Sequence, residues 1–271
     1  MLQLENDQLV VAILDPLADQ NRFGVRYCTG GYIFQITDRQ HGELLSGPTF
    51  PTGFNWFDGQ GIPDAFNHQP LRTPGGTDAE VEIIGIGRCS LPDKTVLSFC
   101  TWEVDARPES LILLTRQAFG PHALTLERQV SLLGRTVRSH TRLHNQGSSF
   151  IPLSWFPHPF YPQPETDELC RLNIPFVLPE NDGYDLAANG FIRRKNWPEQ
   201  RGFYLALEQQ AWQPLTLTQR HPLLGMVSAS CSYVPGLFPI WGNQHTFSWE
   251  PFFERLVAPG QAVSWWIDYD F

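Results

Sequence analysis

The sequence predicts an all-β protein, a large antiparallel β-sandwich built from two packed sheets. Three observations lead there. Charged residues make up only 17% of the chain, while 22 glycines and 23 prolines punctuate it; low charge with frequent turn-formers favours many short strands over long surface helices. No stretch of a dozen residues carries a convincing helical period. Residues 123–145 alternate apolar and polar positions in the manner of a half-buried hairpin. Sandwiches of 271 residues routinely form one unit, so a single domain over residues 1–271 is expected.

The elements follow in order. Residues 10–14 and 31–36 read as strands. Residues 47–78, rich in glycine, proline and aromatics, read as a long ordered loop; such loops in compact domains are usually functional or disordered, and the aromatic content argues against disorder. Leu124, Leu126, Val130 and Leu132 alternate with Thr125, Glu127, Gln129 and Ser131, and Gly134-Arg135 suits a two-residue turn. The return strand puts Val137, Ser139, Thr141 and Leu143 on one face, and Arg138, His140, Arg142 and His144 on the other. Residues 150–155 form a further strand that ends at His158. After turn signals at 179–183 and 189–190, strands resume at 203–207, and the last two, 246–250 and 262–267, are joined through Ala258-Pro259-Gly260.

Composition narrows the function. A net charge of −9 argues against nucleic-acid binding, which normally needs a basic patch. The acidic start, Met1 to Asp7, leads into no apolar run, and no segment approaches the roughly 20 apolar residues of a membrane helix. Cys28, Cys89, Cys100, Cys170 and Cys231 are odd in number and scattered, which reads as free thiols in a reducing compartment. A cytoplasmic protein without membrane contact is expected.

Two residues stand out for chemistry. His158 lies between Pro157 and Pro159 in an aromatic run from Trp155 to Tyr161, so its backbone is restrained and extended. Glu250 sits in Ser248-Trp249-Glu250-Pro251-Phe252-Phe253 and shares a strand face with Thr246 and Ser248. An imidazole and a carboxylate so placed can move protons on an anomeric centre. By themselves, they read equally as a satisfied core histidine and a solvated strand face.

The run Leu126 to Leu132, the hairpin after it, Asn145-Gln146-Gly147 and the stretch Pro152 to Phe160 resemble the central segment of the aldose 1-epimerase (galactose mutarotase) superfamily. Trp249-Glu250-Pro251, followed by Leu256 to Gly260, resembles that family's base-bearing strand and the turn after it. The resemblance covers about 120–271 well and 20–100 more loosely. It implies a twisted sandwich holding a monosaccharide on its concave face, with no metal or organic cofactor. It also implies that Glu250 takes the proton of the C1 hydroxyl and His158 donates one to the ring oxygen. The family's paired-histidine, glycine-rich segment is not recognisable; His68 lies in roughly that part of the chain.

A substrate-binding set completes the reading. Trp56 and Asp58 belong to a loop expected to cover the sugar, and His68, Arg88, Asp182 and Asp185 are expected to meet its hydroxyls. Arg193-Arg194-Lys195 reads either as a sugar-phosphate site or as a charged loop. His140 and His144 are roughly 13 Å apart along a strand, too far for one ion, and belong with Arg138 and Arg142 on a basic face. No nucleotide-binding glycine pattern or nucleophile elbow is present. Anomer interconversion on a monosaccharide is the leading expectation. Its rivals are a non-catalytic carbohydrate binder and a hexose-6-phosphate epimerase.

Overall fold

A computed structural model describes residues 1–73, 75, 79–196 and 201–271 of the chain. The end of the expected loop (residues 74 and 76–78) lies outside these. Among the described residues one antiparallel sheet dominates, with ten strands. Its order is Tyr184–Leu186, Ile192–Arg194, Glu168–Leu172, Thr216–His221, Gly225–Cys231, Ala262–Asp270, Thr136–Asn145, His122–Leu133, Ser110–Phe119 and Glu103–Ala106. The hairpin closes with Leu133 opposite Thr136 around Gly134, whose φ of +57° suits glycine. Leu124, Leu126, Val130, Val137 and Leu143 all point inward.

The opposing layer is divided where the sequence leads one to expect a single sheet. Prolines and glycines interrupt its ladders, leaving short sheets. Phe253–Val257, Ile151–Pro157 and Asp64–Ala65 form one; Tyr161–Pro162, Thr246–Trp249, Phe238–Gly242, Phe203–Gln209 and Phe176–Val177 form another. Further small sheets are built from the first 43 residues and from Glu80 to Phe99.

Aromatics lock the layers together. Trp265 of the large sheet stacks on Phe253 at 4.5 Å and meets Trp155 edge-on at 5.4 Å, while Trp249 stacks on Tyr269 at 6.0 Å. Such side chains bury large areas, and their paired geometry adds to that. One polar pin crosses the same interface. Arg128, fully buried in the large sheet, bonds Asp64, Thr141 and Ser139. A buried ion pair adds little net stability, but losing one partner strands the other. Asp64 pairs with Pro157 across the strands, so the pin fixes the strand that leads to His158.

Among the described residues no helix is long and apolar enough to cross a membrane. The five cysteines are free.

Candidate functional site

The strand Ile151–Pro157 delivers His158 to the wall of a cavity of about 410 Å³. The backbone N–H of His158 donates to Pro63 at 2.8 Å, and that of Phe160 donates to Gly61 at 2.7 Å. Gly61 in turn sits tight against the Ile33–Phe34 backbone. Its φ is +75°, and a Cβ there would lie 2.4 Å from the carbonyl oxygens of Ile33 and Phe34.

From the other side, the strand Thr246–Trp249 ends one residue before Glu250, whose N–H donates to Pro239 at 2.9 Å. Every residue of this strand is buried, so the expected solvated polar face does not exist; both faces are packed. Glu250 itself is 6% exposed and His158 4%. Their side chains meet at the cavity, His158 Nε2 lying 3.2 Å from Glu250 Oε1. Ser248 Oγ lies 2.9 Å from His158 Nδ1, and Phe160 stacks under the ring at 4.3 Å.

Burial dominates the electrostatics of the pair. It pushes the Glu250 carboxyl up to about 8, with Arg26 pulling the other way. It also depresses His158 well below the ordinary histidine range, and Arg26 adds to that. Both shifts act in the same sense: they favour a proton on the carboxyl over one on the imidazole. Shifting that proton across the 3.2 Å contact gives carboxylate and imidazolium at the same net charge.

The walls are largely aromatic: Phe57, Phe156, Phe160, Tyr204, Trp241 and Phe252. Phe156 and Phe252 stack at 4.3 Å, and the His68 ring leans on both, at 5.0 and 5.1 Å. Burial, followed by Arg26, lowers the His68 pKa. Asp58 lines the rim, its carboxylate accepting from Asn55 at 2.5 Å. This cavity of convergent polar groups among aromatic faces has the make-up of a small-molecule site.

Four of the expected residues, His158, Glu250, His68 and Asp58, thus share one cavity, and four do not line it. Trp56 turns away to cover Gly24, with the next residue, Phe57, facing the cavity in its place. Arg88 points outward from its strand and lies over Phe119 at 5.6 Å. Asp182 is exposed in a turn that Asn181 closes through the N–H groups of Gly183 and Tyr184. Asp185 is held by the Arg193 guanidinium at 2.5 and 3.1 Å.

The Arg193-Arg194-Lys195 cluster does not converge on the cavity either. Arg193 is spent on Asp185, Arg194 is 2% exposed and donates to the Thr246 carbonyl, and Lys195 donates to the Asn181 carbonyl.

Two polar lining residues escaped the sequence reading. Arg26 lies over Tyr27 at 4.8 Å and Phe57 at 5.0 Å and donates to the Phe57 carbonyl. Asn67 has a buried amide oxygen without a hydrogen-bond partner, ready to accept from a ligand hydroxyl. Neither sits in a motif; only the adjacency of Asn67 to His68 hinted at it.

No protein-family model matches the chain, and no curated protein matches it. Solved structures do. A galactose mutarotase related enzyme from Lactobacillus acidophilus superposes with a TM-score of 0.67 at 11% identity, covering 99% of this chain and 96% of that one. A putative aldose 1-epimerase from Escherichia coli K12 gives 0.60 at 13% identity, over 99% and 97%. A GalM/aldose epimerase homologue from C. elegans gives 0.53 at 13% identity, again over 99% and 97%. At these identities the likeness establishes the fold, a galactose mutarotase-like β-sandwich.

Proposed function

Taking that fold as the frame for the Glu250–His158 cavity, we propose that the protein interconverts the anomers of a monosaccharide by acid–base ring opening. The observation that carries this reading is the 3.2 Å contact between two buried, oppositely perturbed proton carriers at an aromatic cavity. The two reacting oxygens of a cyclic aldose are both bonded to C1. Acid and base must therefore sit side by side rather than on opposite walls, and these two tips do.

In the working state Glu250 is a carboxylate and His158 an imidazolium. Glu250 accepts the hydrogen of the C1 hydroxyl, C1=O forms as the bond from C1 to the ring oxygen breaks, and His158 Nε2 gives its proton to that oxygen. Rotation about C1–C2 presents the other face of the aldehyde. Closure then returns each proton by the reverse path, so the enzyme ends as it began. Aromatic walls suit the apolar C–H patches of a pyranose, and Asn67, Asp58 and His68, which line the same cavity, would meet its hydroxyls.

The substrate proposed is an unphosphorylated aldose. Arg26 is the one cationic side chain of Lys or Arg type lining the described cavity, and the expected basic cluster lies elsewhere. The test is exchange spectroscopy on a panel of free and 6-phosphorylated aldoses. Wild type should accelerate exchange for a free aldose, and Glu250→Gln should lose about 10²- to 10⁴-fold while retaining most binding. Binding without acceleration on any sugar would favour a non-catalytic carbohydrate binder. An unchanged rate in the variant would mean that another group is the base.

A further inference from the structure

We propose that Ser248 is the positioning residue for His158, its hydroxyl holding Nδ1 so that Nε2 is presented to the cavity beside Glu250. The inference rests on the acid–base reading above. Ser248 Oγ lies 2.9 Å from Nδ1, and Glu250, two residues further along the chain, reaches Nε2 at 3.2 Å. One short segment thus grips both nitrogens of a ring carried by a distant strand.

Ser248 is fully buried, and its backbone register is fixed opposite Trp241. Among the described residues its hydroxyl has no other hydrogen-bond partner. A hydroxyl can donate or accept as it rotates. It donates to Nδ1 when the neutral ring carries its hydrogen on Nε2, and it accepts from Nδ1 when the ring is doubly protonated. In ring opening the proton leaves from Nε2, so the other hydrogen stays on Nδ1, which donates it to Ser248 Oγ throughout.

The surroundings leave this role to Ser248. Phe160 stacks on one face of the His158 ring, and Tyr27, Phe156 and Trp241 approach it at 6.1–6.4 Å. The charged or titratable groups facing the ring are Glu250, which favours its charged form as a carboxylate, Arg26, which opposes it, and Tyr27. Among the described residues Ser248 is the side chain that offers Nδ1 an acceptor, beside a hydrogen bond from the ring to the backbone of His158 itself. The depressed pKa of His158 makes that acceptor matter more, because charging the ring is already costly.

The experiment compares wild type with Ser248→Ala and Ser248→Cys by nitrogen NMR of the labelled His158 imidazole, and by kcat, KM and pH–rate profile. Cysteine keeps the volume while weakening the hydrogen bond, and it serves alone if the alanine variant does not fold. We expect the Nδ1 resonance to move and the ring to take up its proton at lower pH. We also expect kcat to fall about 10- to 100-fold with KM within about two-fold. Unchanged ring signals and titration would overturn the proposal, as would an unchanged kcat. If wild type shows no anomer exchange at all, the acid–base reading fails, yet the NMR comparison still decides whether Ser248 holds the ring.

Discussion

Replacing Glu250 by Gln should make the protein more stable, and increasingly so as the pH rises. An exposed glutamate would scarcely register the change, but this carboxyl is 6% exposed and burial lifts it from 4.5 to about 8. In the unfolded chain it ionises near the ordinary value. Between about pH 4.5 and 8, therefore, the native protein keeps a proton that the unfolded chain has released. The unfolded state binds fewer protons there, so stability falls as pH rises through this window and levels off above it.

The full shift corresponds to about 5 kcal/mol, a ceiling, because the imidazole 3.2 Å away can take the proton and leave an ion pair. A gain of about 2–4 kcal/mol for the Gln variant near pH 9, shrinking to under about 1 near pH 5, is the expectation. His158 acts in the opposite sense: its depressed pKa adds stability above about pH 6.5 that is lost on acidification, in both proteins. Urea unfolding of both proteins at about pH 5, 7 and 9 with equal m-values measures the difference. A gap that stays constant across pH would refute the reasoning, since it would mean that Glu250 titrates as a solvated carboxylate.

Two further outcomes test the scaffold. Arg128→Met leaves Asp64 buried without its partner and should cost about 3–5 kcal/mol; adding Asp64→Leu should recover most of the loss in denaturant midpoint. Gly61→Ala forces a side chain into a φ of +75° and against two carbonyl oxygens, so a loss of about 2–3 kcal/mol or more is expected by urea unfolding.

The parts of the fold legible in the sequence were those with strict alternation. The hairpin around Gly134 is one, because each residue there has a single packed face. The split second layer was not legible, because its strands Ile151–Pro157 and Thr246–Trp249, which lead to the cavity, are buried almost throughout and lose the period of two. His158 and Glu250, the two residues that touch at the cavity, drew attention through their proline and aromatic neighbours. Arg26 and Asn67 reach the same cavity from irregular segments, where tertiary packing alone decides which way a side chain turns. Trp56 illustrates the limit: one position along an irregular loop separates it from Phe57, and no local pattern says which of the two faces the ligand. Asp185 and Arg193 each carried the right chemistry for a sugar site, but they satisfy one another instead. Ser248 and Arg128 read only as polar residues on a strand, and His158 and Asp64, which they hold, lie 90 and 64 residues away.

The place of Ala262–Asp270 in the large sheet has a consequence for synthesis. This strand joins Gly225–Cys231 to Thr136–Asn145, and it leaves the ribosome after both. Until it arrives, two long, half-apolar strands present open edges to other nascent chains, the arrangement most prone to edge-to-edge association. Glu250 is also made late, so the cavity cannot be assembled before most of the sandwich is waiting for its closing strand. Translation that stalls in the loop before Ala262 should thus yield aggregates and work for chaperones, not a truncated protein with partial function.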